Sequence, residues 1–131
     1  MCIFCSIIEG SIPSKKVYED DETLAILDIS QTTKGHTLVM PKKHYDNFLA
    51  MPSEEFGKLM KKTKDIAAKV TRNLDAKGCN ILINTNEAAG QSVMHTHVHI
   101  IPRYDETDTV SFSFTENKLD LDEVLRQINQ D

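Results

Sequence analysis

Apolar residues along the chain switch between the two periods of regular structure. Residues 3–9 place Ile3, Phe4, Ile7 and Ile8 on one side of a short amphipathic helix. Val17-Tyr18-Glu19 and Thr23 to Leu27 read as two strands joined by the turn Asp20-Asp21-Glu22. Thr37-Leu38-Val39-Met40 is a further apolar strand, preceded by Gly35 and closed by Pro41. From Ser53 to Asp75, Phe56, Leu59, Met60, Thr63, Ile66, Ala67, Val70 and Leu74 recur every three or four residues, which predicts a long helix. Ser53 is expected to cap its start, Glu54 and Glu55 suit its positive end, and Gly78 is placed for a left-handed cap. Cys79 to Asn84 and Val93 to Ile101 read as strands around a polar loop, Asn86 to Ser92. Asp120 to Gln130 reads as a last short helix, with Leu121, Val124, Leu125 and Ile128 as its apolar face. Strands mostly in succession, with one long helix inserted, predict an α+β fold with an antiparallel sheet.

The 131 residues fit one domain, and 40% hydrophobic with 27% charged residues is an ordinary globular balance. No apolar run approaches the ~20 residues that span a bilayer, no basic and apolar leader opens the chain, and a cytoplasmic location is expected. The net charge of -5 is unevenly spread. Asp105 to Asp131 holds 8 acidic and 2 basic residues, so the remainder is near neutral and the tail is acidic. Lys58, Lys61, Lys62, Lys64 and Lys69 read as a solvated helix face, and neither a nucleic-acid nor a membrane partner is expected. Three cysteines, Cys2, Cys5 and Cys79, argue against a disulfide framework, and Cys79 reads as a buried strand residue. Cys2-x-x-Cys5 has ligand-pair spacing that redox chemistry and metal binding share.

The informative segment is His95-Thr96-His97-Val98-His99. In a strand, residues at i, i+2 and i+4 share one face, about 3.3 Å apart per residue, while Val98 and Ile100 turn into a core. Each buried ring nitrogen needs a partner, so three imidazoles in register are costly as mere packing. Metal binding and acid–base or nucleophilic work on an anion compete for them. Gly90-Gln91-Ser92 just upstream offers backbone N–H groups and a hydroxyl, the inventory for phosphate oxygens, and favours the anion.

His95-Thr96-His97-Val98-His99-Ile100-Ile101 resembles the signature of the histidine triad (HIT) family, with Thr96 the one polar departure. Ile3 to Ile8, Ile12-Pro13, Tyr18-Glu19-Asp20, Leu27 to Ser30, Gly35 to His44 and Gly90 to Val93 are similar to the Hint branch, particularly its bacterial members. The resemblance covers residues 2 to about 104, and the acidic extension at 105–131 does not match closely. It implies a single HIT domain over 1–131: a sheet of about five strands, one long helix, a short N-terminal helix, and a sheet extended across a homodimer.

The resemblance also implies a nucleotide-binding phosphoramidase that cleaves the P–N bond of adenosine, or other purine nucleoside, 5'-phosphoramidates. His97 would be the nucleophile, held by a backbone carbonyl at His95, and the intermediate a nucleotidyl-histidine. His99 would contact the phosphate, Ser92 would assist the leaving amine, and His36 matches a fourth histidine that approaches the triad. Asn84, Gly90 and Gln91 would line the pocket, with Asp28 on the ribose. Ile3, Phe4, Ile7, Ile26 and Ile29 would form an apolar slot for the base, which implies loose base choice. Bacterial relatives with this cysteine pair imply a structural zinc on Cys2, Cys5, His44 and His95. A dinucleoside polyphosphate hydrolase, or a nucleotide-binding regulatory protein with incidental hydrolysis, stand as the alternatives.

Overall fold

A computed structural model describes residues 2–131. Helix α1 (Ile3–Glu9) leads into strands β1 (Lys16–Glu19), β2 (Thr23–Leu27) and β3 (Thr37–Pro41). Helix α2 (Ser53–Asn73) comes next, then β4 (Gly78–Ile83), β5 (Val98–Arg103) and a terminal helix α3 (Leu121–Ile128). The strands form one sheet in the order β1-β2-β3-β5-β4, and every neighbouring pair is antiparallel. The expected α+β architecture is present. Strand β4 forms one edge of this sheet.

Strand alternation divides the core between the two faces of the sheet. Ala25, Val39, Val98 and Ile100 face α2 and pack on Leu59, Ile66, Ala67 and Val70. Leu24, Ile26, Leu38 and Met40 point the other way and pack on Phe4 and Ile7 of α1. The central strands β2 and β3 are covered on both sides, which is why they read as unbroken apolar runs instead of alternating ones. Each fully buried aliphatic side chain contributes about 1.5–3 kcal/mol, so this double layer is the main source of stability.

The helix caps differ from expectation. Pro52, not Ser53, precedes the first turn of α2, and no side chain caps it; Glu54 and Glu55 still lie in that turn. At the other end Asp75 takes the left-handed conformation at φ 59°, and the Ala76 N–H donates to the Thr71 carbonyl. Gly78 is instead the first residue of β4, paired with Arg103. Asp can enter the left-handed region, so the chain turns three residues earlier than a glycine cap would allow. Cys79 is half-buried on β4, against the α2-facing core. Helix α3 forms from Leu121, but Leu121, Leu125 and Ile128 are exposed and no residue of it is buried. Among the described residues, no helix is long and apolar enough to cross a membrane.

The loop between β2 and β3 carries Asp28 at its start and His36 at its end, tied by the Asp28 N–H donating to the His36 carbonyl at 3.0 Å. Gly35 in this loop has φ +93°, and a Cβ there would collide with Leu74 Cδ1 and crowd Pro102. Only glycine meets both constraints. Gly35→Ala is therefore expected to destabilise the fold by about 1–3 kcal/mol. A lowered urea midpoint with an unchanged denaturant slope would bear this out; an unmoved midpoint would show that the loop yields freely.

Candidate functional site

The segment expected as a strand from Val93 becomes one only at Val98. The reason lies in a distant carbonyl: Tyr45 O accepts from the Thr96 N–H at 2.8 Å and from the Thr96 hydroxyl at 3.1 Å. The His95 N–H turns back to the Val93 carbonyl at 2.9 Å. Residues 93–97 are thus bent, and the three histidines do not form a straight row on one strand. Thr96, the polar departure from the family signature, sits at this bend, buried with its hydroxyl satisfied. Alternation survives beyond it: Val98 and Ile100 enter the α2-facing core, while His97 and His99 stand on the α1 side, ring centroids 5.0 Å apart.

A neutral imidazole carries one N–H, so a partner that can only accept fixes the other nitrogen as a lone pair. His97 Nδ1 lies 2.7 Å from the His95 carbonyl, and therefore donates. Its Nε2 is left as a free base. His36 Nδ1 accepts from the Thr32 N–H at 3.3 Å, so His36 Nε2 carries the proton and donates to His99 Nδ1 at 2.9 Å. His99 must then hold its own proton on Nε2. Two adjacent rings end up complementary, one presenting a lone pair and the other an N–H. Asp28, His36 and His99 have metal-ligand chemistry and lie close together, with His36 Nε2 3.7 Å from Asp28 Oδ2, but the proton on His36 Nε2 occupies the nitrogen a metal would need.

Burial pushes the His97 pKa below its ordinary value, against the hydrogen bond to His95. Burial, then the nearby His97 and His36, push His99 down to about 4. Both rings are neutral near pH 7, which the tautomer assignment requires.

These rings line a cleft of about 250 Å³. Ile3, Phe4 and Ile7 of α1 wall one side, Ile26, Leu27 and Ile29 the other, and Asp28, Ser92, His97 and His99 supply its polar groups. Phe4 meets His97 edge-on at a centroid distance of 4.9 Å. Leu38 and Val93 also line the cleft and, with Leu27, were missed in the sequence; Leu38 lies one strand step from His36, a signal that alternation offered. Asp28 commits Oδ1 to the Ser30 N–H at 2.8 Å, which leaves Oδ2 toward His36. Asn84, Gly90 and Gln91 are not among the lining residues. The Gly90 and Gln91 N–H groups donate within their own loop, to Glu87 O and Asn86 O. The Gln91 side chain is buried and spent: Oε1 accepts from the Asn86 N–H, and Nε2 donates to Asp46 O and Val93 O. It staples two loops together beneath Ser92. Asn84 approaches Gly90.

A second cluster lies at the start of α1. Cys2 Sγ accepts from the Cys5 N–H at 3.1 Å and so caps that helix. The two sulfurs, His44 Nδ1 and His95 Nδ1 converge, with N–S separations of 3.4–3.6 Å and N–N of 3.1 Å. His95 Nε2 donates to the Pro41 carbonyl at 2.8 Å and His44 Nε2 to Asp46 Oδ1 at 2.8 Å. In the neutral rings both Nδ1 atoms therefore carry lone pairs aimed at one another, while the Asp46 contact raises the His44 pKa and favours a proton on its Nδ1 where no cation takes that place. A tetrahedral ion with bonds of about 2.0 Å to N and about 2.3 Å to S would set its N–N edge at about 3.3 Å and its N–S edges at about 3.5 Å. Burial raises the Cys5 thiol, and the neighbouring Cys2 adds to this, to about 11. A cation at the centre would relieve that repulsion. The donor set fits a closed metal centre.

Comparison with protein families matches residues 9–106 to the HIT domain. The chain is 50% identical over 129 residues to a HIT-like protein of Methanocaldococcus jannaschii, covering 98% of each. It is 38% identical over 129 residues to an adenylylsulfatase of Arabidopsis thaliana, covering 97% of this chain and 65% of that one. A solved structure described as a Zn-bound histidine triad family protein from Mycobacterium smegmatis superposes with a TM-score of 0.76 at 40% identity, over 88% of this chain and 84% of that one.

The lowered His99 pKa ties stability to pH. A folded pKa of about 4 lies below the unfolded value of about 6.5, so between them the unfolded chain binds the extra proton. Stability contributed by neutral, buried His99 is fully present above about pH 6.5, falls as the pH drops toward 4, and levels off below. The loss is on the order of 3 kcal/mol. In urea titrations from pH 7 to pH 4, His99→Gln should show a shallower decline than the parent chain. Parallel declines would remove His99 as its source.

Proposed function

Because the chain belongs to the HIT domain family, we propose that it is a nucleotide-binding hydrolase that cleaves the P–N bond of purine nucleoside 5'-phosphoramidates through a nucleotidyl-His97 intermediate. The observation that carries this is the fixed tautomer of His97, whose Nδ1–H is spent on the His95 carbonyl and whose Nε2 lone pair is left for the cleft. Lowered basicity keeps that lone pair unprotonated below the ordinary histidine range. The adenylylsulfatase relative supports hydrolysis at a nucleotide's α-phosphorus as the shared chemistry, and the leaving amine is the finer part of the proposal.

The steps follow from the donors and acceptors. His97 Nε2 attacks the α-phosphorus as the P–N bond to the amine breaks. The departing nitrogen keeps the bonding pair and takes a proton from the Ser92 hydroxyl. His99 Nε2–H, held in place by His36, donates to a phosphoryl oxygen whose charge grows in the transition state. The imidazolium formed on His97 is stabilised through Nδ1–H by the His95 carbonyl. Water then adds to phosphorus, the P–His97 bond breaks, the water's proton restores Ser92, and the nucleoside monophosphate leaves. Asp28 Oδ2 would accept from a ribose hydroxyl. Gly90 and Gln91 act by holding the Ser92 loop.

Zinc belongs to the same proposal, bound by Cys2, Cys5, His44 and His95. It would supply a structural cross-link between the start of α1 and the bend before β5. Support comes from the edge lengths of the four donors, the opposed lone pairs of the two imidazoles and the Zn-bound relative.

His97→Ala should lower turnover of an adenosine phosphoramidate by at least about 10³-fold while nucleotide monophosphate binding persists. If the parent cleaves a dinucleoside polyphosphate and spares the phosphoramidate, the alternative hydrolase holds instead. Metal analysis of protein purified without added metal should find one zinc per chain, and none in Cys5→Ala, with a lowered melting temperature in the variant. Metal-free parent protein with two reactive thiols at Cys2 and Cys5 would refute the zinc.

A further inference from the structure

The catalytic cleft does not end at Asp28. A second cavity of about 510 Å³ adjoins it and shares Ile7, Ile26, Leu27, Asp28 and Ile29. His97, His99 and Ser92 line only the first cavity, whereas Ser14, Lys15 and Gln31 line only the second. Together they form one two-lobed site, with a phosphate-reacting end, a carboxylate at the junction and a far rim of polar side chains.

We propose that Lys15, assisted by Ser14, reads the edge of the nucleobase and favours purines that carry an oxygen at C6. The proposal rests on the nucleotide reading of the first lobe and extends it. With the phosphate at His97 and the ribose at Asp28, the base leaves the sugar at the end opposite the phosphate. Its faces meet the apolar residues shared by both lobes, and its outer edge arrives at the rim.

Of the three rim side chains, Gln31 has no capacity left. Its Nε2 donates to the Asp28 and His36 carbonyls, and its Oε1 accepts from the Gly35 N–H. Ser14 and Lys15 differ: among the described residues neither side chain has a hydrogen-bond or ion-pair partner, although Lys16 next along pairs with Glu19. Lys15 is nevertheless held in place by its backbone, because its carbonyl accepts from the Leu27 N–H at 2.9 Å, beside Asp28.

An ammonium group donates and cannot accept. Guanine and hypoxanthine present two acceptors, O6 and N7, on the edge where adenine presents N7 beside a donating amino group. Lys15 can satisfy O6 of the first edge and finds no acceptor in the amino group that replaces it on the second, while the Ser14 hydroxyl adapts to either. The apolar walls supply affinity without choice, so the discrimination falls to this rim. The loose base preference implied by an all-apolar slot is replaced by a modest, directed one, since the lysine is exposed and its charge is partly screened.

The test is calorimetric binding of GMP, IMP and AMP to the parent protein, Lys15→Met and Ser14→Ala. GMP and IMP should bind the parent about fivefold tighter than AMP, and Lys15→Met should bring all three level by weakening GMP and IMP alone. Unchanged AMP affinity in that variant serves as the control for folding. Ser14→Ala should weaken all three alike and leave the preference in place. Equal affinities in the parent would overturn the proposal. So would a preference that survives Lys15→Met, a parallel loss for AMP, or IMP behaving like AMP, which would assign the preference to the guanine 2-amino group. Binding of none of the three would overturn the nucleotide reading itself.

Discussion

The site depends on one residue, three of whose four polar groups face three different ways. His95 donates from Nε2 to the Pro41 carbonyl, aims the Nδ1 lone pair at Cys2, Cys5 and His44, and offers its own carbonyl to His97 Nδ1. A neutral imidazole has one proton, so the first contact decides the second. The carbonyl contact then decides which nitrogen of His97 is basic. A buried ring satisfied in this way cannot rotate without breaking a hydrogen bond in the interior, a cost of about 1–3 kcal/mol for each group left unpaired. The Cys2His2 cluster and the triad cleft are therefore two ends of one rigid arrangement.

The sheet explains why the cleft is open on one side only. Helix α2 covers one face along its length with a continuous apolar stripe. The other face is covered by α1, seven residues long, of which Phe4 and Ile7 are buried. A helix that short gains little from packing and is marginal alone. Its position is fixed instead by Cys2 at its start, by left-handed Gly10 at its end and by the convergence of Cys2 and Cys5 on two histidines. What α1 leaves uncovered becomes the cleft, walled by the residues that would otherwise complete a core.

Polar spending separates the working groups from the supporting ones. Gln31 and Gln91 are fully hydrogen-bonded to backbone and fix the loops that carry Asp28, His36 and Ser92. His97 Nε2 and His99 Nε2 keep their capacity for the cleft, and Ser14 and Lys15 keep theirs for its far lobe. Residue type alone does not make this distinction, because a glutamine in a Gly-Gln-Ser loop looks equally suited to a ligand and to its neighbours.

The apolar pattern located five strands, the long helix and the short N-terminal helix, because burial is written every two residues on a one-sided strand, every three to four on a helix, and as an unbroken run where both faces of a strand are covered. It also separated Val98 and Ile100 from the histidines, and the repeated imidazoles by themselves marked chemistry. Several features required the folded chain. The Tyr45 carbonyl bends residues 93–97 out of the expected strand, Asp75 turns α2 in place of Gly78, and Gln91 points inward. So did the tautomers of His36, His97 and His99, which depend on contacts to Thr32 and His95, and the second lobe beyond Asp28. The division has a physical cause. Hydrophobic burial is non-directional and scales with area, so its pattern survives in one dimension; a hydrogen bond is directional and needs a named partner, and here many of those partners stand 40 to 70 residues away, where only tertiary structure brings them together.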